Sequence, residues 1–328
     1  MAEQFIHKYS LEFGQPISFY GLSSEQFSIV DDNTRVVGEI NDYMDSFPDQ
    51  AVKLSKHNMS FQIDKSKDAG KESTITIYNI SDATRKFLEQ TQGNNPSLLL
   101  RAGYETDVEL PIIFKGEVIT ASDVFQGNTR ITTLQLKSGA TNMKEAYTVK
   151  SYRAGTSVED IIKYTVGDLK LPYGTLYFPK GNDVRIQTIN KPVVINTPTK
   201  EFLRRFCADN GYKFWIEDGT VNVLPDNYVI RSGEFVFDIS VETNMIGSPT
   251  ISDTDVAATE KQSGNRSNIK VKTTLNGAYS IGAKVNLTSK FHNGVYEIVG
   301  IVHSGTFEGS DWYSDLELKA VDGWEVRG

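Results

Sequence analysis

The chain has 328 residues, 39% hydrophobic and 23% charged, with a formal net charge of −8. That composition is globular, is long enough for more than one core, and holds no run of about 20 apolar residues that would cross a membrane. The acidic balance argues against broad contact with a nucleic-acid backbone; it reads first as solubility, and it also leaves open a wall that DNA slides past without sticking.

Residues 1–145 read mainly as strands. SLEFGQPISFYG and VVGEINDYM are extended candidates, and MSFQIDKS and STITIYNI alternate apolar and polar residues as half-buried strands do. The second carries apolar weight on both faces, which predicts neighbours on both sides. In SDATRKFLEQ, Ser81 is placed to cap a short helix with Asp82 in its first turn and Ala83, Phe87 and Leu88 on its inner face. SLLLRAGYE, LPIIFKGEVITA and VFQGNTRITTLQLKSG follow as strands, the last folded at Gly127-Asn128.

Residues 146–227 change character. Thr156-x-x-Glu159 is a capping-box pattern, and Val158, Ile161, Ile162, Thr165, Val166 and Leu169 behind it share one helical face. LPYGTLYFPKGND reads as a loop. A second helix starts with Thr197 as cap and Pro198 at its first position. It buries Phe202, Leu203, Phe206 and Cys207 and stops at Asn210-Gly211. YKFWIEDGTVNVLP is a hairpin turning at Asp218-Gly219. Residues 228–328 return to strands: EFVFDISVE, SNIKVKTTL, AKVNLTS, GVYEIVGIVHSG and DWYSDLELKA. The polar stretch 252–267 is predicted to be a mobile loop. The expected organisation is a first β-domain over 1–145, an α+β domain over 146–227 and a second β-domain over 228–328, with strand exchange between the parts left open.

One hairpin is written twice. VFQGNTRITTLQL at 124–136 lies on TFEGSDWYSDLEL at 306–318 with a constant shift, so that Phe125 meets Phe307, Gly127 meets Gly309, and Leu134 and Leu136 meet Leu316 and Leu318. Ile119, Ser122 and Lys137 extend the match to Ile301, Ser304 and Lys319. A duplication predicts two copies of one β-unit.

Chemistry is not legible. His7, His57, His292 and His303 show no metal-ligand spacing among themselves or with Cys207, and there is no nucleophile elbow, phosphate loop or dinucleotide fingerprint. The ungapped repeat sets Ala121 opposite His303, which reads His303 as structural. Cys207, the only cysteine, forms no internal disulfide and lies on an apolar helix face, so it reads as a core thiol made in a reducing cytosol. Asp82, Glu105, Asp123 and Asp311 lie at turns or helix starts, where a solvated carboxylate is the default. Phe214-Trp215 and Trp312-Tyr313 suit either a core or an oligomer interface, with one residue of each pair facing out. The residues assign no catalytic, cofactor or metal site. A β-barrel glycosidase or sugar-binding module stays open as a reading from another class.

Ile281-Gly282, Val285, Asn293-Gly294, Tyr296, Val302-His303-Ser304-Gly305, Gly309 and Asp311-Trp312-Tyr313 together resemble the last third of the baseplate hub proteins of contractile phage tails. ITIYNIS, LLLRAGYE and IFKGEVITA resemble that family's first barrel, and TKEFLRRFCADNGYKFWIEDGTVNVLP its middle domain. The resemblance implies a mainly β fold with two tail-tube-like antiparallel barrels flanking a small helix-and-hairpin domain. It implies a non-enzymatic virion protein made in the host cytoplasm, a homotrimer whose six similar barrels join a sixfold tail tube to a threefold spike. Its expected partners are itself, a tube or tube-initiator protein, a central spike and other baseplate proteins, with DNA only in transit. An injection-system hub or the tail tip of a non-contractile phage fits the same pattern. The chain ends with KAVDGWEVRG soon after the last strand, so the spike is expected to be a separate protein. The two hairpin tips, Phe125, Gln126 and Gly127 with Phe307, Glu308 and Gly309, are the expected partner contacts.

Overall fold

The computed structural model describes residues 6–14, 29–31, 51–66, 72–90, 96–178, 187–226, 236–251 and 268–321. The predicted strand at 36–44, the end of the one at 10–21, and the predicted loop at 252–267 lie outside them. In chain order the first elements are β1 (His7–Gly14), β2 (Ile29–Asp31), β3 (Ala51–Leu54), β4 (Met59–Ser66), β5 (Ser73–Tyr78), α1 (Asp82–Gln90), β6 (Ser97–Tyr104), β7 (Ile112–Gln126) and β8 (Thr129–Lys137). Next come α2 (Ala140–Glu145), β9 (Tyr147–Tyr152), α3 (Val158–Gly167), β10 (Tyr173–Leu176), β11 (Val193–Pro198), α4 (Thr199–Asp209), β12 (Tyr212–Glu217) and β13 (Thr220–Pro225). The last are β14 (Phe237–Ser240), β15 (Met245–Ile251), β16 (Ile269–Thr274), β17 (Lys284–Thr288), β18 (Asn293–Thr306) and β19 (Trp312–Ala320).

The chain divides into two compact units. One takes 1–65, 71–137 and 231–328, and the other takes 66–70 and 138–230. The fold is mainly β, and most strand pairs are antiparallel. In the larger unit a single 14-stranded sheet runs β15-β16-β19-β18-β4-β5-β8-β7-β6-β1-β3-β2, with β17 and β14 branching from β18. Among the described residues no sheet closes into a barrel, because β15 and β2 end this one. The strands of both flanking regions belong to the same sheet, joined where β18 lies beside β4.

The duplication is written in the pairing. The orders β4-β5-β8-β7-β6 and β15-β16-β19-β18-β17 are the same, and every pair in both is antiparallel. Ile75 faces Leu134 as Val271 faces Leu316. Val118 faces Leu136 as Ile298 faces Leu318, and in each hairpin the next residue, Ile119 or Val299, is bulged out of the ladder. Leu98 and Leu100 on β6 are buried, as are Val285 and Leu287 at the same places on β17. The copies differ at their margins: β1 runs antiparallel to β6, whereas β14 runs parallel to β17. The helix α1 separates β5 from β6 only in the first copy.

This register corrects the ungapped repeat. β8 and β19 match with the constant shift, but β7 and β18 are offset by two residues. The first turn is the two-residue Gly127-Asn128 with Gly127 at φ +61. The second spans Phe307 to Ser310, between Thr306 and Asp311. Gly305, not Phe307, therefore occupies the place of Phe125, and Asp123, not Ala121, that of His303. The paired positions agree: Thr132 donates to Asp123 at 2.8 Å, and His303 Nδ1 lies 2.8 Å from Ser314 Oγ.

Local signals fared unevenly. Ser81 caps α1, its Oγ accepting the Thr84 N–H. β5 has neighbours on both sides, and Ile75 and Ile77 are buried beneath them. The capping box fails. Ser157 is the N-cap of α3, and the Thr156 hydroxyl turns back to the Arg153 carbonyl at 2.7 Å, leaving Glu159 to pair with Lys163 at 2.6 Å. At α4, Thr197 belongs to β11, and Pro198, with extended ψ 129, is the cap and not the first helical residue. The loop predicted at LPYGTLYFPKGND contains β10, which pairs parallel to β13. The faces of α3 and α4 are buried as read, and Asp218 (φ 48) and Gly219 (φ 74) turn the β12–β13 hairpin.

Candidate partner interface

The two predicted tips are built differently. At the first, Val124 and Phe125 are 64% and 63% exposed near the end of β7. A well-formed strand that presents two large apolar residues to solvent is not serving its own core. Arg130, opposite Phe125 in the ladder, sets its guanidinium 5.2 Å from the Phe125 ring centre and 2.7 Å from Asp82. Its backbone is bonded both ways to Asn79, which sits at φ +55. Asp123 is ion-paired with Arg85 of α1 and is only partly exposed, so it is a strut of the tip and not the solvated turn residue that the sequence suggested. Gln126 and Gly127 are exposed.

At the second tip the aromatic is turned inward. Phe307 packs edge-on against Tyr9 at 4.8 Å, and its N–H donates to the Met59 carbonyl at 2.8 Å. Glu308 and Gly309 remain exposed. Trp312 is buried, stacked on His7 at 4.4 Å and edge-on to Phe61 at 5.3 Å, and it donates to the Gly103 carbonyl at 3.0 Å. Gly305 is the small residue beneath these rings: a Cβ there would lie 2.4 Å from Phe61 and 2.7 Å from Trp312. The open choice between core and interface thus resolves to core for Trp312. It does so for Trp215 too, where both Trp215 and Phe214 are buried and neither faces out.

β4, β5 and β8 separate β18 from β7 in the sheet. At roughly 4.8 Å per strand, the tips are some 20 Å apart, so they do not converge on one small-molecule site. Sequence reasoning missed Val124 and the β15 edge, where Ile246 and Ile251 are 43% and 58% exposed. The signal for Val124 was an apolar pair on a strand whose register had not been worked out. β15 carries Gly247 and Pro249, residues that ordinarily interrupt a strand pattern.

The groups that chemistry would use are quiet. His303 is fully buried, and desolvation, with the nearby Lys65 charge, holds its imidazole well below the usual histidine range. Burial pushes the Cys207 thiol up to about 12. Among the described residues no cluster of His, Cys, Asp and Glu could hold a metal, and no helix is long and apolar enough to cross a membrane.

The family model described as baseplate hub gp41 matches residues 44–302. No curated protein sequence matches. Among solved structures, the 43 kDa tail protein of prophage MuSo2 from Shewanella oneidensis superposes with a TM-score of 0.56 at 9% identity, over 82% of this chain and 94% of that one. A tail protein from Neisseria meningitidis gives 0.55 at 13%, over 80% and 92%. An E. coli component of the type VI secretion system, whose own description likens it to T4 bacteriophage tail proteins gp27 and gp5, gives 0.51 at 11%, over 80% and 73%. At these identities the likeness speaks for the fold. The family match spans most of the sequence, and on that ground the chain belongs to the baseplate hub gp41 family.

Proposed function

We propose that the protein is the structural hub of a contractile phage tail, a homotrimer that joins a sixfold tail tube to a threefold spike. The observation that carries this reading is the five-strand unit written twice, with one order, one pairing sense and one shared bulge. Three chains with two such units each give six similar faces around one axis. Such a ring meets a sixfold tube on one side and keeps a true threefold for a trimeric spike on the other. The two units are the tube-like domains of the expected three-part organisation, and the part around 146–227 lies between them in the chain. The tips at Phe125–Gly127 and Phe307–Gly309 contact a neighbouring unit or the tube. Other baseplate proteins surround the ring in the virion, and DNA passes through its lumen, where the net charge of −8 keeps it from sticking. The role is geometric and not enzymatic, as the hub family and the quiet His303 and Cys207 both favour.

Native mass by light scattering, with averaged negative-stain images of the same peak, tests this. A particle of about 110 kDa, three times the 36.6 kDa chain, with a central hole and six lobes is expected. A closed dimer, or a monomer that stays single beside co-expressed spike, would refute it.

A further inference from the structure

In the smaller unit β9 and β11 form a sheet of two strands, and among the described residues neither has another strand neighbour. A two-stranded sheet is marginal by itself and gains by taking a third strand. Its register sets Tyr147 opposite Pro198, Val149 opposite Asn196 and Ser151 opposite Val194. One residue earlier, the Thr199 N–H donates to the Ala146 carbonyl at 3.0 Å. Backbone groups alternate along a strand, so Thr148, Lys150 and Tyr152 turn theirs to β11, and Tyr147, Val149 and Ser151 turn theirs away. Pro198, which has no N–H to give, stands at a place that faces away from β9. The two outer edges are therefore unlike. β11 is blunted by that proline and by Pro192 just before it, whereas β9 offers an unbroken row of donors and acceptors. Among the described residues no bond from outside the sheet takes the backbone of Tyr147, Val149 or Ser151.

The side chains of this edge are open as well. Thr148 points inward, bonded to Asp168 at 2.8 Å and Thr199 at 2.9 Å, but Tyr147 and Val149 are 54% and 71% exposed. Val194, diagonal to Val149 on the same face, is 74% exposed. Charge adds a preference. Residues 144–153 and 191–200 hold Lys144, Lys150, Arg153, Lys191 and Lys200 against Glu145 alone, in a chain whose net charge is −8. Lys150 is exposed in mid-strand, with its Nζ 4.8 Å from the Tyr164 ring centre. We infer that the free edge of β9 takes an extended segment of another protein as a third strand, one that alternates apolar and acidic residues. Backbone hydrogen bonds to Tyr147, Val149 and Ser151 hold it. Its apolar side chains lie beside Tyr147 and Val149 on the outer face. Its carboxylates, on the other face, meet Lys150, and the local excess of cations turns away a basic strand. The surface belongs to the smaller unit, outside the duplicated sheet, and it goes beyond the hub reading without depending on it.

A short fluorescein-labelled peptide alternating valine and glutamate, titrated with the full-length chain and read by anisotropy, tests this. Saturable binding that weakens with salt is expected, with none for a peptide alternating valine and lysine. Val149→Pro removes one N–H that faces the free edge and none that faces β11. It is expected to weaken binding by about tenfold or more with an unchanged melt. Should that variant melt early, Val149→Glu keeps the N–H, sets a carboxylate against the acidic strand, and is expected to lose binding likewise. No saturable binding to the unaltered chain, or binding unchanged in a variant that folds, overturns the edge. Equal binding of the lysine peptide overturns the acidic partner. A native mass that halves in Val149→Pro would give the edge to a second copy of this chain and overturn the proposal. A trimer that persists in the variant leaves the hub reading standing whatever the peptide does.

Discussion

Removing the Trp312 ring tests whether it clamps the two copies together inside the larger unit. Trp312 starts β19 of the second copy, yet it touches His7 on β1 and Phe61 on β4 and donates to Gly103 on β6. Truncating a buried tryptophan to alanine costs about 3–5 kcal/mol when the hole does not collapse. Here collapse is resisted, because the hole is walled by two aromatic rings held on separate strands. The Gly103 carbonyl also loses its donor, a contribution on the order of 1–3 kcal/mol. Trp312→Phe keeps most of the ring and loses the N–H, so it should cost about 1–2 kcal/mol by the same reasoning. Urea unfolding followed by far-ultraviolet circular dichroism reads both, as a shift in midpoint at constant slope. If Trp312→Ala costs less than about 1 kcal/mol, or if the two variants cost the same, the contacts across the copies do not carry the stability argued for them.

Three further outcomes follow from buried groups and one turn. His303 is held neutral in the folded chain, so the unfolded chain binds the extra proton below pH 6.5. Stability is then complete above that pH and is lost as pH falls, by about 1.4 kcal/mol per unit; His303→Gln should flatten that part of the slope in a pH series of melts. Cys207, with its thiol pushed up to about 12, should ignore a thiol reagent at pH 8 in the native protein and react on unfolding; stoichiometric reaction without unfolding would show that α4 opens. Gly219→Ala meets no side chain but forces alanine to φ +74, so it should destabilise the β12–β13 hairpin by about 1 kcal/mol in thermal melts, whereas a neutral result would mean that the turn relaxes freely.

Much of the local structure was legible because it depends on neighbours in sequence. The buried stripe of α3, the Ser81 cap and the Asp218-Gly219 turn are decided within a few residues. Most of the failures share one cause, a contact from elsewhere in the chain, and the Thr156 cap is the local exception. Thr156 looked like a cap until the Arg153 carbonyl took its hydroxyl, and YGTL looked like a loop because only parallel pairing with β13 makes it a strand. Asp123 looked like a turn residue, but the strand continues beyond it to Gln126 and Arg85 reaches it from α1. The tips named from sequence exist, but their aromatics are not counterparts. Which edge of β7 lacks a strand among the described residues depends on sheet order, and no local pattern carries that.

The repeat itself shows why an alignment of letters and an alignment of strands diverge. On β8 and β19 leucines are buried at the same places, so letters and places agree. On β7 and β18 the turn grew by two residues in one copy. The ungapped match there paired Phe125 with Phe307, which is a coincidence of letters. Once the strands are superposed, the identities on that side largely vanish while the bulge, the polar pairs Asp123–Thr132 and His303–Ser314, and the order of pairing remain. What persists is what the backbone needs to bend and pair in the same way. What has changed clusters where the neighbours differ. Gly305 and Trp312 meet another strand of the same chain, whereas Phe125 is exposed to solvent. A duplication whose copies had identical neighbours would have no reason to diverge there. The exchange of glycine for phenylalanine at that one place follows the difference in neighbours: Gly305 lies under the rings of Phe61 and Trp312, and the Phe125 ring faces solvent.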